Sequence, residues 1–196
     1  MPRSLLEVTG VLAIVVLLSS AGPADAQKRG GTLRVAYGNE IAGLDFHTTA
    51  GYEMVWVATN VGCGLINPTP DGKFVPDAAE SWQISSDGLL YTFKLKKNVL
   101  FHDGTRLDAA AVKFNIDRIM DPATRSSMRT FYEAVHSVEV LDPHSVQIRL
   151  KYPYAFMMHM LAAYRMGLVL YSPTATQKYT LEERRAGKPE DRKSVV

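Results

Sequence analysis

Cysteine is almost absent: Cys63 stands alone in 196 residues, so no intrachain disulfide and no cysteine-built metal site can form. Neither sign of charge prevails. Lys and Arg number 22 against 20 Asp and Glu, a formal +2 with no basic run, which excludes nucleic-acid binding through bulk charge. Catalytic signatures are missing too: there is no G-x-S-x-G elbow, no H-E-x-x-H, no phosphate-binding loop and no G-x-G-x-x-G after the first strand. The five histidines, His47, His102, His136, His144 and His159, form no i,i+4 pair, so no local metal site is expected. Beyond the N-terminal region the longest apolar stretch, residues 166–171, has strand length and cannot span a bilayer. With 46% hydrophobic and 21% charged residues, what remains is a globular chain of about one domain, with no cofactor implied.

The beginning of the chain is more specific. Arg3 precedes the unbroken apolar run Val11-Leu12-Ala13-Ile14-Val15-Val16-Leu17-Leu18, and the breakers Gly22 and Pro23 follow. Ala24-Asp25-Ala26 then offers small residues at the two positions a signal peptidase reads. Residues 1–26 are therefore expected to be a signal peptide cleaved before Gln27, which places the mature protein in the periplasm. No cysteine lies near the cleavage point, so it should not be a lipoprotein.

Hydrophobic periodicity outlines the mature chain. Residues 32–37 alternate as a first strand, and a loop through Gly43, Leu44 and Asp45 follows. Met54, Ala58, Val61 and Leu65 recur at helical spacing, which predicts a helix over residues 51–65. Residues 80–85 and 91–96 read as two strands around Ser86-Asp87-Gly88, with Tyr91, Phe93 and Leu95 inward. Asp108 can cap a helix over 109–120 whose core face is Val112, Ile116 and Ile119, stopped by Asp121-Pro122. A second hairpin pairs 138–140 with 146–150 around Asp142-Pro143-His144, a short apolar helix spans 155–161, and residues 167–171 read as a buried strand. From Thr174 the chain is charged and is expected to be exposed helix or disorder. Its end, Asp191-Arg192-Lys193-Ser194-Val195-Val196, reads as non-native, because a common sequencing adapter encodes it in one frame.

Three stretches stand out in order and spacing. Phe74-Val75-Pro76-Asp77-Ala78-Ala79-Glu80-Ser81-Trp82 is followed by Asp87-Gly88-Leu89-Leu90-Tyr91-Thr92-Phe93-Lys94-Leu95. Phe101-His102-Asp103-Gly104-Thr105 then leads to Ala109-Ala110-Ala111-Val112-Lys113-Phe114. This pattern resembles the extracytoplasmic solute-binding proteins of ABC importers, family 5, the peptide/nickel-binding class. Asp77 and Ala111 depart from it, at positions that read as structural. The resemblance implies an α/β fold with mixed sheets, periplasmic-binding-protein-like of type II, with residues 27–173 forming the first lobe and the second lobe missing. It implies a monomer that captures oligopeptides, dipeptides or a related small solute and delivers them to a membrane permease and its ATPase, with no chemistry of its own. An exported hydrolase or a ligand-sensing protein on a similar fold is the alternative.

The motif residues themselves are scaffold, since Trp82, Tyr91, Phe93, Leu95 and Phe101 supply core area. In such two-lobed proteins the first lobe's ligand contacts come from loops at strand ends. The candidate ligand-binding residues are therefore Gly43, Leu44 and Asp45 after the first strand, and Asn60, Gly62 and Cys63 near the end of the next helix.

Overall fold

The computed structural model describes residues 31, 32, 34, 38, 43, 45–49, 51–163, 167–180, 182 and 183. The expected signal peptide, Leu44, most of the expected first strand and the end of the charged tail lie outside the described residues. The chain divides into two units, Met1–Ala36 and Tyr37–Val196. In the first, Gly31, Thr32 and Arg34 are exposed; everything below concerns the second.

Its elements are α1 (Tyr52–Val61), β1 (Ile66–Pro68), β2 (Phe74–Pro76), β3 (Ala79–Ile84), β4 (Leu90–Leu95), α2 (Ala109–Met120), β5 (Val135–Asp142), β6 (Ser145–Leu150), α3 (Met157–Met160) and α4 (Pro173–Gln177). Two 3-10 turns, Pro122–Thr124 and Arg129–Tyr132, link α2 to β5. β1 and β2 pair as a small antiparallel sheet, and the other four strands form an antiparallel sheet in the order β3-β4-β6-β5.

Both expected hairpins form. β3 meets β4 with Trp82 opposite Phe93 and Ile84 opposite Tyr91, and the turn between them places Gly88 at φ +69°, a left-handed value that glycine adopts without strain. Tyr91, Phe93 and Leu95 are buried as their alternation demands, and β6 buries Val146, Ile148 and Leu150 in the same way. α2 lies against β5 and β6. Asp108 caps it by accepting from the Ala111 N–H at 2.8 Å, and its buried face includes Val112, Ile116 and Ile119.

Four local expectations change. α1 stops at Val61 instead of running to Leu65, and Gly62, Cys63 and Gly64 lead the chain out of the helix into β1. The 155–161 helix shortens to one turn. Residues 167–171 are buried and, among the described residues, belong to none of the named strands: the Leu170 N–H donates to Cys63 O at 3.0 Å and the Tyr171 N–H to the Asn115 side chain at 2.9 Å. The segment is apolar throughout because both of its faces are covered. Leu168 and Leu170 enter the main core, while Val169 and Tyr171 join Phe46, Met54 and Ala163 in a second, smaller one. Finally, the start of the tail is packed, since Ala175 and Thr176 of α4 are buried.

Trp82 is the remaining surprise. It shares a face with Phe93, with ring centroids 6.5 Å apart, but β3 is the sheet edge and the indole is only half-buried. Phe93→Ala is therefore expected to cost about 3–5 kcal/mol and Trp82→Ala roughly half as much. Thr92→Ala, which loses a 3.1 Å hydrogen bond from Gln147 Nε2, should cost about 1 kcal/mol. Urea unfolding of the three variants gives the order directly, and a Trp82→Ala loss equal to that of Phe93→Ala would contradict the edge position.

Candidate functional site

The loop at residues 45–49 is built around one carbonyl. Asp45 O accepts from the N–H groups of Thr48 and Thr49, both at 3.0 Å, so the loop closes on itself and behaves as a unit. Asp45 and His47 both point inward from it and meet Arg118, which projects from the last turns of α2. Asp45 is 1% exposed, His47 0% and Arg118 8%.

The contacts form a closed set. Arg118 Nη1 donates to Asp45 Oδ1 at 3.1 Å and Nη2 donates to Oδ2, a two-pronged ion pair across 73 positions of sequence. Nη1 also lies 3.0 Å from His47 Nδ1. A guanidinium only donates, so Nδ1 must be the acceptor and the imidazole proton resides on Nε2. Nε2–H in turn donates to Val169 O at 2.8 Å. Burial, and next the Arg118 charge, lower the His47 pKa from its ordinary value to about 3, against the opposing pull of Asp45 and the Val169 carbonyl. His47 is thus neutral at any ordinary pH.

Tyr171 completes the surroundings. Its hydroxyl accepts from the Phe46 N–H at 2.9 Å, its ring stands edge-on to His47 at 5.0 Å, and the Arg118 guanidinium lies 5.9 Å from the ring centre. The Ser126 hydroxyl donates to His47 O at 2.5 Å. One turn before Arg118, Asn115 holds the Tyr171 backbone from both sides, accepting from N–H at 2.9 Å and donating to the carbonyl at 2.8 Å.

A second interlock sits close by in sequence. Asp103, in the His102-Asp103-Gly104-Thr105 turn, accepts from Thr105 Oγ1 at 2.6 Å and from Ser172 Oγ at 2.5 Å. Ser172 uses the same oxygen to cap α4 through the Ala175 N–H. An open groove of about 420 Å³ runs beside α2, bounded by Phe114, Asp117, Arg118, Asp121, Thr176 and Gln177. Among the described residues, no group of three or more His, Cys, Asp or Glu side chains is placed to hold a metal ion.

The residues singled out from sequence are therefore not one cluster. Gly43 and Asp45 are buried, and both oxygens of the Asp45 carboxylate face Arg118. Cys63 is buried in the main core, where desolvation and then Asp77 push its thiol pKa well up, so it stays protonated. Asn60 is exposed at the end of α1 with its amide donating to Trp56 O at 2.6 Å, and Gly62 is half-buried. Trp56, one turn earlier, is 63% exposed. Asp77, an outlier in the sequence pattern, has a place: its carboxylate accepts the Gly64 N–H at 2.9 Å. His47, Arg118, Ser126, Asn115 and Tyr171, which make the buried network, were not among the sequence candidates.

Comparison with known proteins gives this architecture its context. Residues 73–193 match the model of the bacterial extracellular solute-binding proteins, family 5 (middle). The chain is 36% identical over 148 residues to the glutathione-binding protein GsiB of Escherichia coli, covering 76% of this chain and 28% of that protein. It thus spans less than a third of the length of that curated relative. Among solved structures, NikZ of Campylobacter jejuni in complex with Ni(L-His) is 32% identical with a TM-score of 0.62, over 73% of this chain and 28% of NikZ. OppA of Haemophilus influenzae, complexed with a nonapeptide, matches in fold with a TM-score of 0.67 at 24% identity, over 75% of this chain and 32% of OppA. The antiparallel sheets, the capped α2 and the matched segment agree on one assignment: the chain belongs to the family 5 bacterial extracellular solute-binding proteins.

Proposed function

We propose that this chain is the first-lobe portion of the substrate-binding subunit of an ABC importer, and that its solute is a peptide or a small peptide-like molecule. Family membership carries the reading. The relative named for glutathione and the one holding nickel with histidine both bind solutes built on amino-acid groups, which need hydrogen-bond donors and acceptors along a zwitterionic backbone. The protein works as a monomer in the periplasm after loss of residues 1–26, hands its solute to a permease and ATPase, and catalyses nothing itself.

Of the candidate contacts, those at the end of α1 suit direct recognition best. Asn60 and Gly62 keep solvent access, and the exposed Trp56 ring beside them offers an apolar wall for a side chain or peptide plane. Gly43, Leu44 and Cys63 stay in the proposed set, while Asp45, whose carboxylate is engaged by Arg118, supports the site without touching solute. A closing site needs a second lobe to bury the solute, so the 196 residues alone should bind weakly. Each hydrogen bond to a solute that still faces water is worth only about 1 kcal/mol net, far from the roughly 8 kcal/mol of micromolar affinity.

Calorimetry on the mature protein expressed with its complete gene, against glutathione, mixed di- to pentapeptides and nickel–histidine, tests the reading. Micromolar or tighter binding of a peptide, without turnover, is expected. Trp56→Ala should weaken it at least tenfold while changing stability by less than about 1 kcal/mol, as for an exposed side chain. Binding of nickel–histidine with no response to any peptide would overturn the peptide assignment.

A further inference from the structure

We propose that Arg118 is a positioning residue that holds the 45–49 loop in a single arrangement, with Asp45 serving as its counterion and not as a solute contact. For its bearing on solute this rests on the binding function proposed above; the mechanical claim stands on the contacts alone.

The loop is closed by its own hydrogen bonds to Asp45 O, so its placement depends on what ties it to the rest of the unit. Those ties converge. Arg118 engages both Asp45 oxygens and His47 Nδ1. The fork geometry of a guanidinium is what lets one side chain do this; a lysine ammonium has no second prong in the same plane. The contact with His47 fixes its tautomer, and that tautomer supplies the Nε2–H donated to Val169 O. The contact with Asp45 neutralises a carboxylate that is almost wholly removed from water. Arg118 therefore links α2, the loop and residues 169–171 through a single charged group.

Such a network is all-or-none in character. A satisfied buried polar set is rigid and specifies one geometry, whereas removing one charge leaves its partner desolvated and uncompensated. Without Arg118, Asp45 loses the two-pronged contact to its carboxylate and His47 loses the donor that selects its tautomer. The loop then has reason to move out to water. A solute could reach the Asp45 carboxylate only by displacing the guanidinium that already occupies it, which is why direct contact is the weaker reading for this residue.

Hydrogen exchange on the full 196-residue chain, read residue by residue, is the test. In Arg118→Met and in Asp45→Asn, the amides of Phe46, Thr48, Thr49 and Leu170 should exchange at least tenfold faster than in the wild type. Those of Phe93 and Val146, in the sheet, should be unchanged. Arg118→Lys should fall between the wild type and Arg118→Met. Ile148→Val, a sheet-core control, should leave the loop amides untouched. If Arg118→Met does not fold, Asp45→Asn, which keeps the side chain's shape, decides alone. A uniform rise across the chain, or no rise in the loop, would overturn the positioning role. So would complete loss of peptide binding in Asp45→Asn, measured in the complete protein, with loop exchange unchanged, since that pattern belongs to a direct contact. A wild-type protein that binds none of the solutes would remove the function proposed above and leave the exchange result to judge Arg118 by itself.

Discussion

Gly64→Ala is expected to destabilise the chain by more than about 3 kcal/mol, close to the limit of what a domain of ordinary stability tolerates. A Cβ at this position would run into the backbone of the facing segment: the Ala163 nitrogen, Ala162 C at 2.8 Å and Leu161 O at 2.9 Å. These are main-chain atoms held in place by their own bonds. Leu65 N–H donates to Leu161 O at 2.9 Å, Ile66 bridges Ala162 in parallel, and Gly64 itself donates to Asp77 and accepts from the Ala78 N–H at 3.1 Å. No side-chain rotation can relieve the overlap, so β1 must separate from the 161–163 segment or tilt. Gly72→Ala is the control. Gly72 has φ +81° but open space around it, so only the backbone penalty applies, about 1 kcal/mol. Urea unfolding monitored by circular dichroism compares the two. Equal, small losses would mean that the backbones do not approach as closely as described.

Gly64 also marks the boundary of what the sequence discloses. Its neighbours Gly62 and Cys63 read as the last turn of a helix that in fact stops at Val61, and a glycine required by a chain passing nearly a hundred positions later leaves no local trace. Features written in short range were legible. The Asp108 cap, the Val112, Ile116 and Ile119 stripe and the Asp121-Pro122 stop lie within one helix, and α2 forms at the expected residues. The same holds for the two hairpins, where turn chemistry and alternation act over a few positions. Alternation reports the face of a strand and not its rank in the sheet, so Trp82 was placed on the right side and given too much burial. β1 and β2, three residues each and both ending in proline, carry too little pattern to be seen at all.

The buried network was beyond reach for a related reason. Asp45 entered as a loop carboxylate near a strand end, and only the fold reveals that Arg118, 73 positions away, answers it. Arg118 is a basic residue in the last turn of a helix, a place the helix dipole alone favours, so nothing local marks it. The Ser172 to Asp103 link, 69 positions apart, was hidden in the same way. Family resemblance reached the assignment because the matching stretches are local strings. It could not say which of their residues face a partner from outside the string.

Acidification should cost this protein about 2 kcal/mol of stability between pH 7.5 and pH 5 through His47 alone. The sign follows from the direction of the shift. The folded state holds His47 neutral down to about pH 3, whereas the unfolded chain takes up a proton near the ordinary value of about 6.5. Above that value neither state binds the proton and His47 contributes no pH dependence. Below it the unfolded state gains protons that the folded state refuses, and stability falls by roughly 1.4 kcal/mol for each pH unit until the folded pKa is reached. The cause is physical and local. A second cation would have to form beside Arg118 in a site buried from solvent, and the carboxylate of Asp45 is already paired. Asp77 acts the other way, because desolvation raises its pKa and protonation therefore favours the folded state. Its opposing slope makes a wild-type curve alone ambiguous. His47→Gln separates the two: the amide can still donate towards Val169 and accept from Arg118, but it does not titrate. Denaturant midpoints at half-unit steps from pH 7.5 to 5 should show the variant losing about 2 kcal/mol less than the wild type over that interval, whatever its stability at neutral pH. Parallel curves for the two proteins would mean that His47 titrates alike in the folded and unfolded states, and the buried neutral imidazole would have to be abandoned.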